Sequence, residues 1–123
     1  MNEENKESSV DDLASRFLPI LEEAGTTDPE VLPLEPNSFA EALIVATASS
    51  RRQARGAADS VIRRCKENGI KTLGVEGYDA GDWILVDCGD AIINIFLEDA
   101  RNLYKLEELW SRNSRLHRKE AQE

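Results

Sequence analysis

The segment GDWILVDCGDAIINIFL, residues 81–97, decides the fold, because two apolar runs are separated there by a short turn. Gly89 and Asp90 form a typical two-residue hairpin loop with glycine in the first position. Placing the turn at this dipeptide puts Trp83 opposite Phe96 at the open end of the ribbon. The segment therefore predicts an antiparallel β-hairpin at the centre of a sheet protein.

The predicted register gives the hairpin two faces of different chemistry. One face is wholly apolar, is expected to lie in the core, and consists of Ile84, Val86, Cys88, Ala91, Ile93 and Ile95. We call the other the mixed face, and it consists of Trp83, Leu85, Asp87, Ile92, Asn94 and Phe96. If the mixed face were covered, burial of Asp87 and Asn94 would cost free energy unless both were hydrogen-bonded. If it were open, two aromatic rings would stand beside polar groups, which is typical of a protein-binding surface.

Apolar periodicity and turn residues predict the remaining elements. In chain order they are a helix from Ser9 to Gly25, an edge strand at 31–34, a buried strand at 42–47, a helix at 50–67, a strand at 71–75 and, after the hairpin, a helix from Glu98. The 50–67 helix is expected to be capped by Ser49 or Ser50, and to direct arginines such as Arg51 and Arg55 outward. This order predicts a single α/β domain with a mixed sheet of about five strands and flanking helices.

Residues 9–111 are expected to form this domain, between a disordered segment at 1–8 and a charged tail at 112–123. The first residues have neither the basic start nor the apolar run of a signal peptide, and no apolar run is long enough to cross a membrane. Cys65 and Cys88 are interpreted as separate small core residues in a reducing cytosol. We therefore expect a cytoplasmic protein.

The net charge is −9, and its distribution along the chain is uneven. Residues 51–72 carry seven bases against two acids, whereas the segments on either side, 1–50 and 73–110, are acidic. Most of such a chain would repel phosphates, so direct binding to nucleic acid is disfavoured, and a basic protein partner is favoured instead. The alternative interpretation is that the acidity only maintains solubility.

Little in the sequence resembles an active site. It contains no P-loop, dinucleotide-binding, Cys-x-x-Cys or zinc-protease motif, and its single histidine, His117, lies in the charged tail. Asp87 and Asp90 could hold Mg²⁺ around the turn, although turn and strand-face roles account for them more simply. Residues 49–52 could receive a phosphate at a helix start, although capping is the simpler role. We expect no catalytic residue, no metal and no cofactor.

Two stretches resemble the ribosomal silencing factor family, also called the Iojap-related family. SFAEALIVATASSRRQARGAADSV, residues 38–61, resembles the second strand and long helix of that family. Residues 74–110 resemble its C-terminal half through the motifs G-V-E-G, D-W, D-x-G-D and R-x-L-Y-x-L-E-x-L-W. The chain differs at Glu41, Ala48 and Asn94, where the family usually has aspartate, glycine and histidine.

The resemblance implies a non-catalytic α/β domain related to the nucleotidyltransferase fold. It also implies binding to the large ribosomal subunit through its protein number fourteen. Bound there, the factor would block joining of the small subunit and repress translation when nutrients are scarce. The family tryptophan that matches Trp83 is implied to contact the partner.

The leading hypothesis is a binding protein that acts by steric block and is not an enzyme. Its expected partner-binding residues are Trp83, Leu85, Asp87, Ile92, Asn94, Phe96, Asp82 and Asp90. Trp83 and Phe96 are expected to stand uncovered as anchors, and the aspartates to pair with basic side chains of the partner. Two alternatives stay open: a residual nucleotidyltransferase that uses Asp87 and Asp90 with Mg²⁺, and a homodimer joined through the mixed face.

Overall fold

The computed structural model describes residues 2–35 and 38–104, so the predictions for His117 and for the tail at 112–123 lie outside the described residues. The elements are α1 (Asn2–Glu23), β1 (Thr27–Pro33), β2 (Ala42–Ala48), α2 (Arg51–Glu67), β3 (Gly74–Glu76), β4 (Trp83–Asp87), β5 (Ala91–Leu97) and α3 (Glu98–Tyr104). The five strands form one sheet in the order β1-β2-β5-β4-β3. β2 and β5 are parallel, and the other neighbouring strands are antiparallel. The prediction of a mixed five-stranded sheet with flanking helices is confirmed.

The hairpin has the register that its turn predicts. Trp83 pairs with Phe96 and Leu85 with Asn94, and the Cys88 amide donates to the Ala91 carbonyl at 2.9 Å beside the turn. Because side chains alternate between the two faces of a strand, this register separates the apolar face from the mixed face as predicted.

The main core lies between the apolar face of the sheet and the helices α1 and α2. Its buried residues on the helices are Leu13, Phe17, Ile20, Leu21, Ala54, Ala57, Ala58, Val61 and Cys65. Small alanines on α2 allow the helix to pack closely on the sheet. The Gln53 amide donates to Ser50 Oγ at 3.0 Å, which makes Ser50 the N-cap and confirms the predicted start of α2.

α3 lies on the other side of the sheet. Its Ala100 packs into a second apolar cluster with Leu43, Val45 and Phe96. Arg101 donates to Thr47 Oγ1 at 2.8 Å and to the Asp28 carbonyl, so it holds α3 across β2 and β1. This placement covers part of the mixed face.

Three elements have boundaries that differ clearly from those that the sequence predicts, and one of them is β1, which begins at Thr27 rather than at residue 31. α1 begins at Asn2 rather than at Ser9, in a segment rich in glutamate, which has good helix propensity. β3 (Gly74–Glu76) is shorter than the predicted strand at 71–75. The domain limits at residues 8 and 111 stay predictions. None of the helices in the described part of the chain is both long and apolar enough to span a bilayer.

Candidate functional site

The mixed face is half covered in the structure. Ile92, Asn94 and Phe96 on β5 are buried, with Phe96 at 0 % exposure, whereas Trp83, Leu85 and Asp87 on β4 keep partial exposure. The expectation that both aromatic rings stand uncovered is therefore wrong for Phe96. The physical reason is that β5 lies between β2 and β4 and is followed directly by α3, which packs on it. The accessible part of the mixed face is the β4 half.

Trp83 is held in place by two neighbours on β5. Its indole ring stacks on Phe96 with centroids 4.9 Å apart and an interplanar angle of 25°. Its Nε1–H donates to Asn94 Oδ1 at 2.9 Å. The bond satisfies the indole N–H and offsets the cost of burying the Asn94 amide. The result is a partly exposed aromatic side chain with a restricted orientation.

The three predicted aspartates lie at the two ends of β4. Asp82 precedes Trp83 at one end and is partly exposed, whereas Asp87 and Asp90 lie at the hairpin turn, with Asp90 exposed. Asp87 Oδ1 accepts from the Gly89 amide at 2.9 Å, which is a turn-stabilising bond. None of these carboxylates forms an ion pair within residues 2–35 and 38–104. They can therefore pair with basic side chains of another protein.

The magnesium alternative gains no further ligand from the fold. Across the described residues, no group of three or more potential ligands comes together. The Asp87 carboxylate is bound by the turn, and the Asp90 backbone carbonyl accepts from the Glu41 and Ala42 amides at 2.7 and 3.1 Å. The Asp87 carboxylate thus stabilises the turn, and Asp90 is held there through its backbone carbonyl.

The start of α2, considered as a phosphate site, is occupied by the protein itself. Ser50 caps the helix, and the Ser49 amide donates to Gln53 Oε1 at 2.7 Å. Arg51 donates through Nε to the Ala80 carbonyl at 3.0 Å. Arg55 also binds carbonyls of the segment between β3 and β4. Arg51 is exposed and Arg55 partly exposed, as the predicted outward direction requires, but both also bind carbonyls of a distant loop that the sequence does not indicate.

The segment that receives these arginines is residues 77–81, which we call the 77–81 loop. Tyr78 OH donates to Asp59 Oδ2 on α2 at 3.1 Å. This hydrogen bond is the main reason that the pKa of Tyr78 is raised above its ordinary value. No local pattern in the sequence indicates these contacts, because the partners are separated by 19 to 29 positions along the chain.

Cys65 and Cys88 are not separate, contrary to their interpretation from the sequence. Both are free and buried, and their Sγ atoms lie 3.6 Å apart between α2 and the hairpin turn. Burial raises the pKa of the Cys88 thiol, and the neighbouring Cys65 raises it further. The Cys88 thiol therefore favours the neutral form, and both cysteines act as core residues.

Comparison with known proteins identifies the family. A family model described as "Ribosomal silencing factor during starvation" matches residues 6–123. The chain belongs to the ribosomal silencing factor family. The resemblance that the sequence motifs indicate is confirmed.

Two curated relatives and one solved structure show how far the family similarity extends. The ribosomal silencing factor of Haemophilus influenzae is 44% identical over 75 residues, which cover 61% of this chain and 74% of the relative. The factor of Chromobacterium violaceum is 41% identical over 73 residues, which cover 59% of this chain but only 60% of that relative. A crystal structure of a protein from Chromobacterium violaceum matches with a TM-score of 0.78 and 33% identity, over 83% of this chain and 86% of that chain. The fold described above is therefore the fold of this family.

Proposed function

We propose that this ribosomal silencing factor binds the large ribosomal subunit in the cytoplasm and blocks joining of the small subunit. Translation would then be repressed when nutrients are limiting. The observation that carries the proposal is Trp83, a partly exposed indole that is stacked on Phe96 and hydrogen-bonded to Asn94 on the mixed face. Family membership supplies the ribosomal context.

A tryptophan in this setting is suited to anchor a protein interface. Aromatic anchors commonly contribute about 2 kcal/mol or more to such interfaces when they are desolvated on binding. The stack and the hydrogen bond restrict the indole before the partner arrives, which lowers the conformational entropy lost on binding. Leu85 lies on the same partly exposed strand and can extend the apolar contact. Ile92 and Phe96 support the surface from below.

We propose protein number fourteen of the large subunit as the direct partner, as the family resemblance implies. Asp82, Asp87 and Asp90 surround the anchor strand and form no ion pair in the described chain. A basic protein would complement these carboxylates, which would raise the association rate and the specificity more than the affinity. A protein that acts by sterically blocking subunit joining needs no catalytic group, so the proposal requires no enzyme activity.

Replacement of Trp83 tests this proposal. Trp83→Ala should lower the affinity for purified large subunits by at least about thirtyfold, since about 2 kcal/mol or more of binding free energy is lost with such an anchor. Co-sedimentation over a range of protein concentrations would measure this affinity. Trp83→Phe keeps an aromatic ring against Phe96 and should retain intermediate binding. Arg63→Ala, an exposed change on α2 across the sheet, is the control and should bind as the wild type does.

Circular dichroism and thermal unfolding would show that each variant is folded. A folded Trp83→Ala protein that sediments with large subunits as the wild type does would refute the proposed surface. A wild-type protein that fails to sediment with large subunits would refute the proposed function itself.

A further inference from the structure

The 77–81 loop leads directly into Asp82 and Trp83, and its backbone is tightly constrained. Gly77 and Gly81 both have φ of +78°, a left-handed conformation that favours glycine. The Gly81 amide donates to the Gly77 carbonyl at 2.9 Å and closes the turn. A Cβ atom added at Gly77 would lie 2.1 Å from the Trp83 carbonyl oxygen. The loop and the backbone of the anchor residue are therefore in direct contact.

Two arginines of α2 bind three consecutive carbonyls of this loop. Arg51 Nε donates to the Ala80 carbonyl at 3.0 Å. Arg55 donates through Nε to the Tyr78 carbonyl at 3.0 Å and through Nη2 to the Asp79 carbonyl at 2.6 Å. The planar guanidinium group presents several N–H donors in a fixed geometry, so Arg55 can hold two adjacent carbonyls at once.

Side-chain packing and a further hydrogen bond add to the attachment. A Cβ at Gly81 would lie 3.0 Å from Arg51 Cβ, so the loop backbone approaches the arginine stem closely. Tyr78 OH donates to Asp59 on the same helix. Exposed loops are ordinarily mobile. This loop is instead held by charge-assisted hydrogen bonds from the two arginines of α2.

The arginines act from the side of the sheet opposite the anchor. α2 packs on the apolar face with Ile84 and Val86, whereas Trp83 packs in the second cluster on the mixed face. Other cations of α2, such as Arg52 and Arg63, are exposed and form no hydrogen bond with this loop in the part of the chain that the structure describes. The interaction with the loop is thus specific to Arg51 and Arg55.

We propose that Arg51 and Arg55 are positioning residues that hold the 77–81 loop so that Asp82 and Trp83 are presented to the partner in a fixed arrangement. This inference rests on the proposed function. The arginines do not touch the partner; they reduce the disorder that binding would otherwise have to remove. Arg55 contributes more than Arg51, because it makes two of the three hydrogen bonds.

The first measurement is the state of the loop. Arg55→Ala should increase hydrogen exchange in the backbone at residues 78–82, whereas exchange in β2 and β5 should be unchanged. Its affinity for large subunits should fall about tenfold, since a loop that is disordered without Arg55 must then be immobilised on binding. Arg51→Ala should show the same changes to a smaller extent. Arg63→Ala should change neither exchange nor affinity.

A double-mutant cycle separates positioning from general stabilisation. Arg55→Ala is measured in the wild type and in Trp83→Phe, which retains measurable binding under the proposal. A positioning role predicts a smaller loss of affinity in the Trp83→Phe background, because the best anchor is already absent. A merely structural role predicts the same loss in both backgrounds and would overturn the inference.

The outcomes for the two proposals can be told apart. Wild-type binding together with unchanged binding of folded Arg55→Ala would overturn the positioning role alone. Absence of wild-type binding to large subunits would overturn both. If Arg55→Ala does not fold, Arg55→Lys replaces it: the charge is kept but the two-carbonyl geometry is lost, so affinity should still fall, and full binding by Arg55→Lys would contradict the inference.

Discussion

Among single residues, Asn94 is a buried amide on a strand of otherwise apolar side chains, and its burial is compensated by a hydrogen bond from Trp83. Asn94 is 1% exposed, and its Oδ1 accepts from the Trp83 indole at 2.9 Å. Its Nδ2 lies 3.4 Å from the Ile92 carbonyl, which is a weaker contact. The indole bond therefore supplies most of the compensation for burial of Asn94, and it also orients the proposed anchor.

Asn94→Ala should destabilise the protein by about 1–3 kcal/mol, because the indole N–H loses its partner and a small cavity forms. Urea unfolding would measure this loss. Trp83→Phe removes the donor, so in that background Asn94→Ala should cost about 1 kcal/mol less. Equal costs in the two backgrounds would show that the hydrogen bond contributes no stability.

Cys88 makes the stability of the protein depend on pH. The Cys88 thiol has a raised pKa in the folded protein through burial and the neighbouring Cys65. An unfolded thiol ionises near about pH 8.5. Below that pH the stabilisation is complete, and as pH rises above it the unfolded state loses its proton first, so stability declines by up to about 1.4 kcal/mol per pH unit.

Urea unfolding between pH 7 and 10 would test this, with Cys88→Ala as the matched control. The wild type should lose stability more steeply above about pH 8.5 than Cys88→Ala does. Parallel curves for the two proteins would contradict the effect of burial on this thiol.

At the scale of elements, glycine has opposite consequences in α2 and in the 77–81 loop. Gly56 lies in the interior of α2, is exposed, and has nothing within 4 Å of an added Cβ. Gly77 has a positive φ, and an added Cβ would collide with the Trp83 carbonyl. The same substitution should therefore change the stability of the protein in different directions.

Gly56→Ala should raise the free energy of unfolding by up to about 1 kcal/mol, since alanine loses less backbone entropy in a helix. Gly77→Ala should lower it by about 1–3 kcal/mol through strain and steric conflict. Thermal and urea unfolding of both variants would measure the difference. A Gly77→Ala protein as stable as Gly56→Ala would mean that the loop can relax without cost.

At the scale of the whole molecule, the fold separates charges that alternate along the chain. The basic segment 51–72 consists of α2 and the residues that follow it. α2 packs on the apolar face of the sheet. Asp82, Asp87 and Asp90 lie instead at the two ends of β4, the strand that carries Trp83. The net charge of −9 adds to the negative potential of these carboxylates, so a basic partner would be steered toward the ends of β4.

The association rate with large subunits should therefore fall by about tenfold or more between low and high monovalent salt, at constant Mg²⁺. The dissociation rate should change much less, because it depends mainly on the aromatic anchor. Stopped-flow mixing with labelled protein would measure both rates. An association rate that does not respond to salt would show that the charges do not steer the partner. The proposed binding surface would then rest on the Trp83 anchor alone.

Much of the architecture can be predicted from the sequence because its signals are local. The two-residue turn at Gly89 and Asp90 sets the hairpin register, and side-chain alternation then assigns each residue to a face. The serine cap and the helical stripe of alanines define α2. Family motifs in residues 38–61 and 74–110 indicate the family without any coordinates.

The tertiary structure alone decides which part of the mixed face is accessible. Phe96 is buried because β2 lies beside its strand and α3 packs on it, and no pattern within the hairpin reveals these two neighbours. The approach of Cys65 to Cys88, and of Arg55 to the 77–81 loop, likewise joins residues more than 20 positions apart. Periodicity determines the face to which a side chain points, whereas the packing of distant elements determines whether water, another helix or a partner can reach it.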